Sequence, residues 1–424
     1  MEYFHEIQPE GEISLERAGE LIDAMLEALG PLRRVLLLPP DSTRPGSWGG
    51  ELTMILWERL HRCPHVVVMP ALGTHMPMTG HEIDRMYPGL PRRCYRTHNW
   101  FTDAVRIGEV PGSFIKQLSE GRLDYMIPCE INRLLIEEDW DRIISIGQLV
   151  PHEVAGIANH NKNIYIGLGG RDVINKTHYL GAVCDMERAM GRAETPVRAV
   201  LDYMDREFGH DLPITYLLTV RSPRPGGGLA TRGLFAGDDK PCFRRGAELC
   251  RRVNIELLDR PLEKVVVYLD RSAYKSTWLG NKAIYRTRMA MADGGELIVI
   301  APGVSRFGED DMIDRLIRRH GYRGRDAVMA AVDGDPELAD NLSAAAHLIH
   351  GSSEGRFRIT YCPGGLSRRE IEAVGFEWAD PAAMAERYPA RGLIDGYNQL
   401  PGGEEIYWIS NPSTGLWGLK SQFE

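Results

Sequence analysis

Apolar runs of strand length alternate with helix-period patterns along most of the chain. Residues 34–38 (RVLLL) predict a buried strand, 51–62 (ELTMILWERLHR) an amphipathic helix, and 65–71 (HVVVMPA) a second strand. A helix is expected from Thr79, because Thr79-Gly80-His81-Glu82 fits a capping box. Further strands are expected at 142–147 (RIISIG), 163–168 (NIYIGL) and 214–220 (ITYLLTV). The stretch 221–240, RSPRPGGGLATRGLFAGDDK, is rich in Gly and Pro and reads as a loop or domain junction. A second series follows: helix 241–253, strand 264–269, helix 282–292, strand 296–301, helices 309–320 and 336–350, strand 357–362 and helix 366–374. This alternation predicts an α/β protein whose mainly parallel sheets are covered by helices. It divides near residue 250 into an N-terminal domain, 1–250, and a C-terminal domain, 251–424.

Composition narrows the picture without naming a function. A chain of 424 residues with 43% hydrophobic and 26% charged content is an ordinary globular protein with room for two or three cores. Its formal net charge of −9 argues against a uniformly basic nucleic-acid surface. No apolar run approaches the ~20 residues needed to span a bilayer. The opening MEYFHEIQPEGEISLE is acidic and polar, unlike a secretory leader. The seven cysteines are scattered, with no C-x-x-C pair, so reduced thiols and a cytoplasmic location are expected.

In open α/β sheets ligands bind where strands end, so the loops after strands deserve the closest reading. Asp41-Ser42-Thr43-Arg44 follows the first predicted strand; an Arg fork there suits a carboxylate or phosphate, though a capped turn with a solvated Arg reads equally well. His75, in Gly73-Thr74-His75-Met76-Pro77-Met78-Thr79, stands between strand and helix, where an imidazole can act near neutral pH or make a local hydrogen bond. Pro151-His152 is followed by Lys162 ten residues on and His178 sixteen beyond that, which is not a two-histidine zinc-helix spacing. The GLGG at 167–170 would let backbone amides approach a phosphate. Lys282, after Trp278-Leu279-Gly280-Asn281, opens a predicted helix and by itself reads as a solvated lysine.

Taken together, these segments resemble the lactate racemase superfamily, whose members use a nickel-pincer nucleotide. The family order is Asp-x-x-Arg, Gly-x-His-x-Pro-Met-Thr, Pro-His, a lysine ten residues on and a histidine sixteen beyond. Here it falls on Asp41/Arg44, His75, His152, Lys162 and His178, with Lys282 matching a later lysine. The resemblance runs from about residue 30 to 305 and includes the FAGD at 235–238. It implies two α/β domains with the active site in the cleft between them, the first carrying cofactor and catalytic residues. It further implies an isomerase that inverts C2 of a 2-hydroxy acid by reversible hydride transfer through a 2-keto acid.

On this resemblance Lys162 is the lysine joined to the cofactor, Ni(II) pyridinium-3,5-bisthiocarboxylic acid mononucleotide, and His178 is the protein ligand to nickel. His75 and His152 are the acid/base pair, one for each face of C2. Arg44 clamps the substrate carboxylate, with Lys282 and Trp278 near the substrate, and Asp41, Ser42 and Thr43 contact the nucleotide. Cofactor-synthesis enzymes are the expected partners in maturation. Two departures bear on the substrate. Racemases acting on lactate carry Ser-Gly-Gly before the cofactor lysine, where this chain has Ala158-Asn159-His160-Asn161. Their Tyr-Gln pair before the later lysine is Trp278-Leu279 here. The polar Asn159, His160 and Asn161 suggest extra substrate hydroxyls, hence a sugar acid such as an aldonate in place of lactate. The competing readings are a zinc hydrolase or aldolase using the same histidines, and a non-catalytic two-lobed binder of a sugar acid or nucleotide.

Overall fold

The computed structural model describes residues 1–224, 227–413 and 415–423. The chain falls into two compact units, one of residues 1–180 and 188–254, the other of 181–187 and 255–424. Each is an α/β unit built on a six-stranded sheet.

In the first unit the strands are β1 (Glu2–Ile7), β2 (Arg34–Leu38), β3 (His65–Val68), β4 (Ala104–Val110), β5 (Ile127–Asn132), β6 (Arg142–Gln148), β7 (Pro151–His152), β8 (Gly156–Ile157), β9 (Ile214–Pro223) and β10 (Leu229–Gly237). The main sheet has the order β1-β10-β9-β6-β2-β3. Its β3, β2, β6 and β9 are parallel, and β10 and β1 are antiparallel additions. Val35, Leu36, Leu37 and Leu38 are fully buried, as expected of a strand covered on both faces. The helix Leu15–Leu29 is capped by Ser14, whose side chain accepts from the Arg17 amide, and it buries Ala18, Leu21, Ile22 and Met25. That three-to-four-residue spacing forms one apolar stripe against the sheet. Leu52, Leu56 and Leu60 of the helix Gly49–Leu60 join the same core. At about 1.5–3 kcal/mol per buried large aliphatic side chain, this layer is a main source of the unit's stability.

In the second unit the strands are β11 (Glu256–Leu258), β12 (Leu262–Tyr268), β13 (Met291–Ala301), β14 (Arg358–Pro363), β15 (Glu377–Trp378), β16 (Gly396–Gln399), β17 (Glu405–Ile409) and β18 (Trp417–Leu419). The sheet order is β15-β14-β13-β12-β17-β16, parallel except for the antiparallel edge strand β16.

Four expectations change, the first being that the helix expected at 336–350 is two, Pro336–Ala339 and Leu342–His350. Residues 163–168 are not a strand: Asn161–Tyr165 is a short helix. A short apolar run does not distinguish strand from buried helix, and here side-chain hydrogen bonds to neighbouring elements fix the choice. The stretch 221–240 is mostly sheet, since β9 runs to Pro223 and β10 resumes at Leu229. Its register, Pro223↔Leu229 to Tyr216↔Gly237, pairs the two strands over most of their length; Pro225 and Gly226 lie outside the described residues. The helix predicted at 282–292 stops at Thr287, and β13 begins at Met291. Among the described residues no helix is long and apolar enough to cross a membrane.

Candidate active site

The chain runs from β2 outward to β3 and returns to place β6 on the other side of β2. Such a reversal of strand order leaves a crevice at the carboxyl ends of the strands. The loops that follow β2, β3 and β6 carry Asp41 and Arg44, then His75, then His152 and Lys162. Backbone and side-chain bonds tie these loops together. The Gly73 amide donates to the Gly167 carbonyl at 2.8 Å. Asn163 Nδ2 reaches the Leu38 carbonyl at 3.2 Å and Ser145 Oγ at 3.0 Å.

Asp41 is buried and His75 is exposed beside it, with His75 Nδ1 donating to Asp41 Oδ2 at 2.6 Å. The other carboxylate oxygen accepts from Thr43 Oγ1 at 2.6 Å and from the Thr43 amide at 3.2 Å. Burial works to raise the Asp41 pKa, but the bonds from His75 and Thr43 outweigh it and hold the carboxyl below its ordinary value. An ionised carboxylate only accepts, so the proton of this contact is on His75 Nδ1. Ser42 Oγ donates to Glu82 Oε1 at 3.2 Å, and Glu82 completes the Thr79 capping box. Arg44 is exposed at the start of the short helix Pro45–Ser47. Arg221 braces that turn, donating to the Gly46 carbonyl at 2.5 Å and stacking over Trp48 at 5.0 Å.

His152 sits in the two-residue pairing of β7 with β8, opposite Gly156. The turn between them brings the amides of Val154 and Ala155 back onto His152 Nδ1 at 3.1 and 3.4 Å.

Lys162 follows a turn that two residues take in the left-handed region, Asn159 (φ 66°) and His160 (φ 59°). Such conformations carry strain in residues with a Cβ, and they persist where surroundings enforce them. The enforcer is Arg198, which is fully buried. Its guanidinium donates to the carbonyls of Ile157 (2.6 Å) and Asn159 (3.2 Å) and to Asn161 Oδ1, and stacks over Phe243 at 4.4 Å. Burial, and then the positive charge of Arg44, bring the Lys162 ammonium down to about 8, with Glu153 opposing. An amine with that pKa is unprotonated in about a tenth of molecules at pH 7, far more than an ordinary lysine.

His178 lies on the helix Arg171–Val183, with Nδ1 donating to the Ile174 carbonyl at 2.7 Å. Burial and then the charge of Lys162 push its pKa down to about 4. The ring is therefore neutral near pH 7 with its lone pair on Nε2, the form in which imidazole ligates metals. Among the described residues no three or more His, Cys, Asp or Glu side chains gather to hold a metal ion. A metal at His178 must bring most of its ligands with it, as a pincer cofactor does. The neutral imidazole and the depressed amine fit that group.

Several expectations meet a different geometry. His160 is buried between Tyr216 (3.9 Å) and Phe243 (5.0 Å). Asn161 is buried and tied to Arg198 and, at 2.8 Å, to Asp202. Neither is available to substrate hydroxyls. The GLGG turn is not an open phosphate cradle. A Cβ at Gly170 would stand 2.3 Å from Glu130 Oε2, and one at Gly169 would stand 2.2 Å from the Tyr165 carbonyl. These glycines allow close packing, and an acidic side chain already fills the space. Lys282 and Trp278 belong to the second unit, on the connection after β12. Lys282 is half-buried at the start of its helix, and Trp278 stacks on His347 at 4.2 Å. Arg198 escaped notice in the sequence, although an arginine within the apolar stripe Val197, Val200, Leu201 and Met204 is a readable signal.

A model of the lactate racemase N-terminal domain matches residues 21–191. A crystal structure of a Thermotoga maritima protein superposes with a TM-score of 0.78 at 23% identity, covering 97% of this chain and 100% of that one. The lactate racemase apoprotein of Thermoanaerobacterium thermosaccharolyticum superposes with a TM-score of 0.67 at 15% identity, covering 92% of this chain and 88% of that one. No curated protein matches the sequence. These structural likenesses establish a shared fold; the domain match extends over the stretch that holds Asp41, Arg44, His75, His152, Lys162 and His178. Over residues 21–191 the chain is thus similar to the lactate racemase N-terminal domain.

Proposed function

We propose that this protein is a racemase or epimerase that inverts C2 of a 2-hydroxy acid with a nickel-pincer nucleotide carried on Lys162. The observation behind this reading is the pairing of Lys162, an amine brought to about 8, with His178, an imidazole kept neutral with Nε2 as its lone-pair nitrogen. Lys162 would hold the group through its amine, and His178 Nε2 would ligate its nickel. When bound, the nucleotide supplies a centre able to take and return the C2 hydrogen with its electron pair. The protein supplies orientation and charge. Arg44 offers a planar guanidinium for the substrate carboxylate. His75, steadied by Asp41, exchanges the hydroxyl proton.

The sugar-acid expectation rested on Asn159, His160 and Asn161; with the last two turned inward, what remains of the substrate class is a 2-hydroxy acid. The test is production alongside the cofactor-synthesis enzymes. Intact mass should show an adduct that Lys162→Ala removes, with nickel in stoichiometric amount. Chiral chromatography should show interconversion of at least one 2-hydroxy acid pair. Protein made alongside those enzymes that shows no adduct, nickel or interconversion overturns the reading.

A further inference from the structure

The second unit has its own reversal of strand order. From β12 the chain goes to β13 on one side, and it returns later to place β17 on the other. The crevice of such a reversal opens at the carboxyl ends of the two strands. Tyr274 follows β12 and is buried. Its hydroxyl bonds Ser413 Oγ and, at 3.4 Å, Asn411 Oδ1, two residues that follow β17. Burial raises the Tyr274 pKa, while the Ser413 bond and then the positive charge of Arg286 oppose the rise, which puts the Arg286 guanidinium near this hydroxyl. Arg286 reaches it from the helix Lys282–Thr287, since helical side chains lean back toward the helix N-terminus.

Among the described residues the buried arginines are Arg198, Arg221, Arg286 and Arg288. Three of them are well paired. Arg198 holds the turn before Lys162, as described above. Arg221 donates to Thr231 Oγ1 at 3.0 Å and to the carbonyls of Gly46 and Leu229. Arg288 pairs with Glu187 at 2.9 Å and donates to the Ser352 carbonyl at 3.2 Å. Arg286, 8% exposed, has one hydrogen bond, from Nη1 to the Gly415 carbonyl at a long 3.4 Å, and its Nε has no partner. Asp270, which also acts on Tyr274, turns Oδ1 to Ser272 and the Ala273 amide and makes no ion pair with Arg286. Five N–H donors on a fixed charge are thus held out of water against a single distant acceptor. Arginine keeps its proton, so deprotonation offers no relief, and an apolar side chain of the same volume would cost less. An oxyanion at the guanidinium removes that cost.

We propose that Arg286 anchors an oxyanion site within the second unit, which takes a carboxylate or phosphate group on the guanidinium beside the hydroxyls of Tyr274 and Ser413. The planar fork offers two parallel N–H donors to two oxygens of such a group. A hydroxyl can turn its own hydrogen toward a further oxygen. Every group invoked belongs to the second unit. The site goes beyond the racemase reading and does not depend on it.

The test needs no cofactor. The full chain is melted in chloride buffer, then with acetate or phosphate replacing chloride at equal ionic strength, at concentrations too low for general salt effects on burial. In the parent at least one oxyanion should raise the melting temperature by about 2–4 °C once it exceeds its dissociation constant about fivefold. A response to acetate reports a carboxylate ligand, and a response to phosphate alone a phosphate group. Arg286→Met removes the unpaired charge at similar length, so it should melt at or above the parent in chloride and lose the response. Arg286→Lys keeps the charge without the fork and should weaken the response about 10-fold or more in affinity. In 15N-arginine-labelled parent protein the Arg286 Nε signal, assigned by its loss in Arg286→Lys, should move as the active anion is added. A parent whose melting and Nε signal ignore both oxyanions overturns the site, and so does an Arg286→Met protein that keeps the parent's response.

Discussion

Replacing Asp41 by asparagine changes one atom and inverts one hydrogen bond. The asparagine oxygen can keep the two bonds from Thr43 that Asp41 Oδ1 now accepts. Its amide nitrogen then faces His75 Nδ1, 2.6 Å from the present oxygen, and as a donor it requires Nδ1 to accept. The hydrogen of neutral His75 moves to Nε2, and the base is lost. A hydrogen bond to a charged group contributes about 1.5–3 kcal/mol, which alone is about 10- to 150-fold in rate. Holding a catalytic histidine in the wrong tautomer costs more, up to about 10⁴-fold. Turnover should fall about 10²–10⁴-fold for both stereoisomers. Stability should change by only about 1 kcal/mol, because a buried carboxylate is exchanged for a buried amide of the same shape. The assay is stereoisomer interconversion in loaded protein, with adduct mass and thermal melting as controls and the His75 nitrogen signals as a direct reading of the tautomer. Turnover within about threefold of the parent, with the tautomer switched, would refute the argument that Asp41 sets the chemistry of His75.

Arg198→Met leaves the carbonyls of Ile157 and Asn159 and the Asn161 side chain without their donor; it should cost about 3–5 kcal/mol in chemical denaturation and lower the adduct yield on Lys162, and a loss under about 1 kcal/mol would show that the turn does not depend on the clamp. Gly147→Ala places a Cβ 1.7 Å from Asn159 Nδ2, so the turn before Lys162 must shift; about 1–3 kcal/mol of destabilisation and reduced adduct are expected, and parental values for both would contradict the packing. His160 is held neutral by burial, and then by the charge of Arg198, which together push its pKa well below the ordinary histidine value. Because the unfolded chain takes up this proton below about pH 6.5 and the folded chain does not, stability should fall as pH drops from there, by at most about 1.4 kcal/mol per unit for one group. His178, at about 4, acts in the same direction between about pH 6.5 and 4. His160→Phe should flatten the loss measured by urea unfolding at pH 7.5 and 5.5, and an unchanged slope would remove His160 from the acid response.

The order of elements was largely legible in the chain itself. Strands β2, β6 and β9 announce themselves as unbroken apolar runs, because a strand covered on both faces has no polar side to show. The helix after Thr79 is announced by its capping box, a bond pattern confined to four residues. The spacing from Asp41 to His178 carried the family resemblance for the same reason: it is written along the chain.

What the chain could not state is decided by contacts between distant residues. Whether 163–168 is strand or helix is decided by where Asn163 finds its partners, Leu38 and Ser145. Whether His160 and Asn161 meet a ligand or the interior is decided by Arg198, Tyr216 and Phe243 closing over them. What His75 and His152 meet at Nδ1 is likewise decided by folding, a carboxylate thirty-four residues away in one case and two amides of its own turn in the other. Composition and spacing fix which side chains are present. Their burial, tautomer and charge depend on the neighbours that folding supplies, since desolvation and hydrogen-bond direction act over a few ångströms of space and not along the chain.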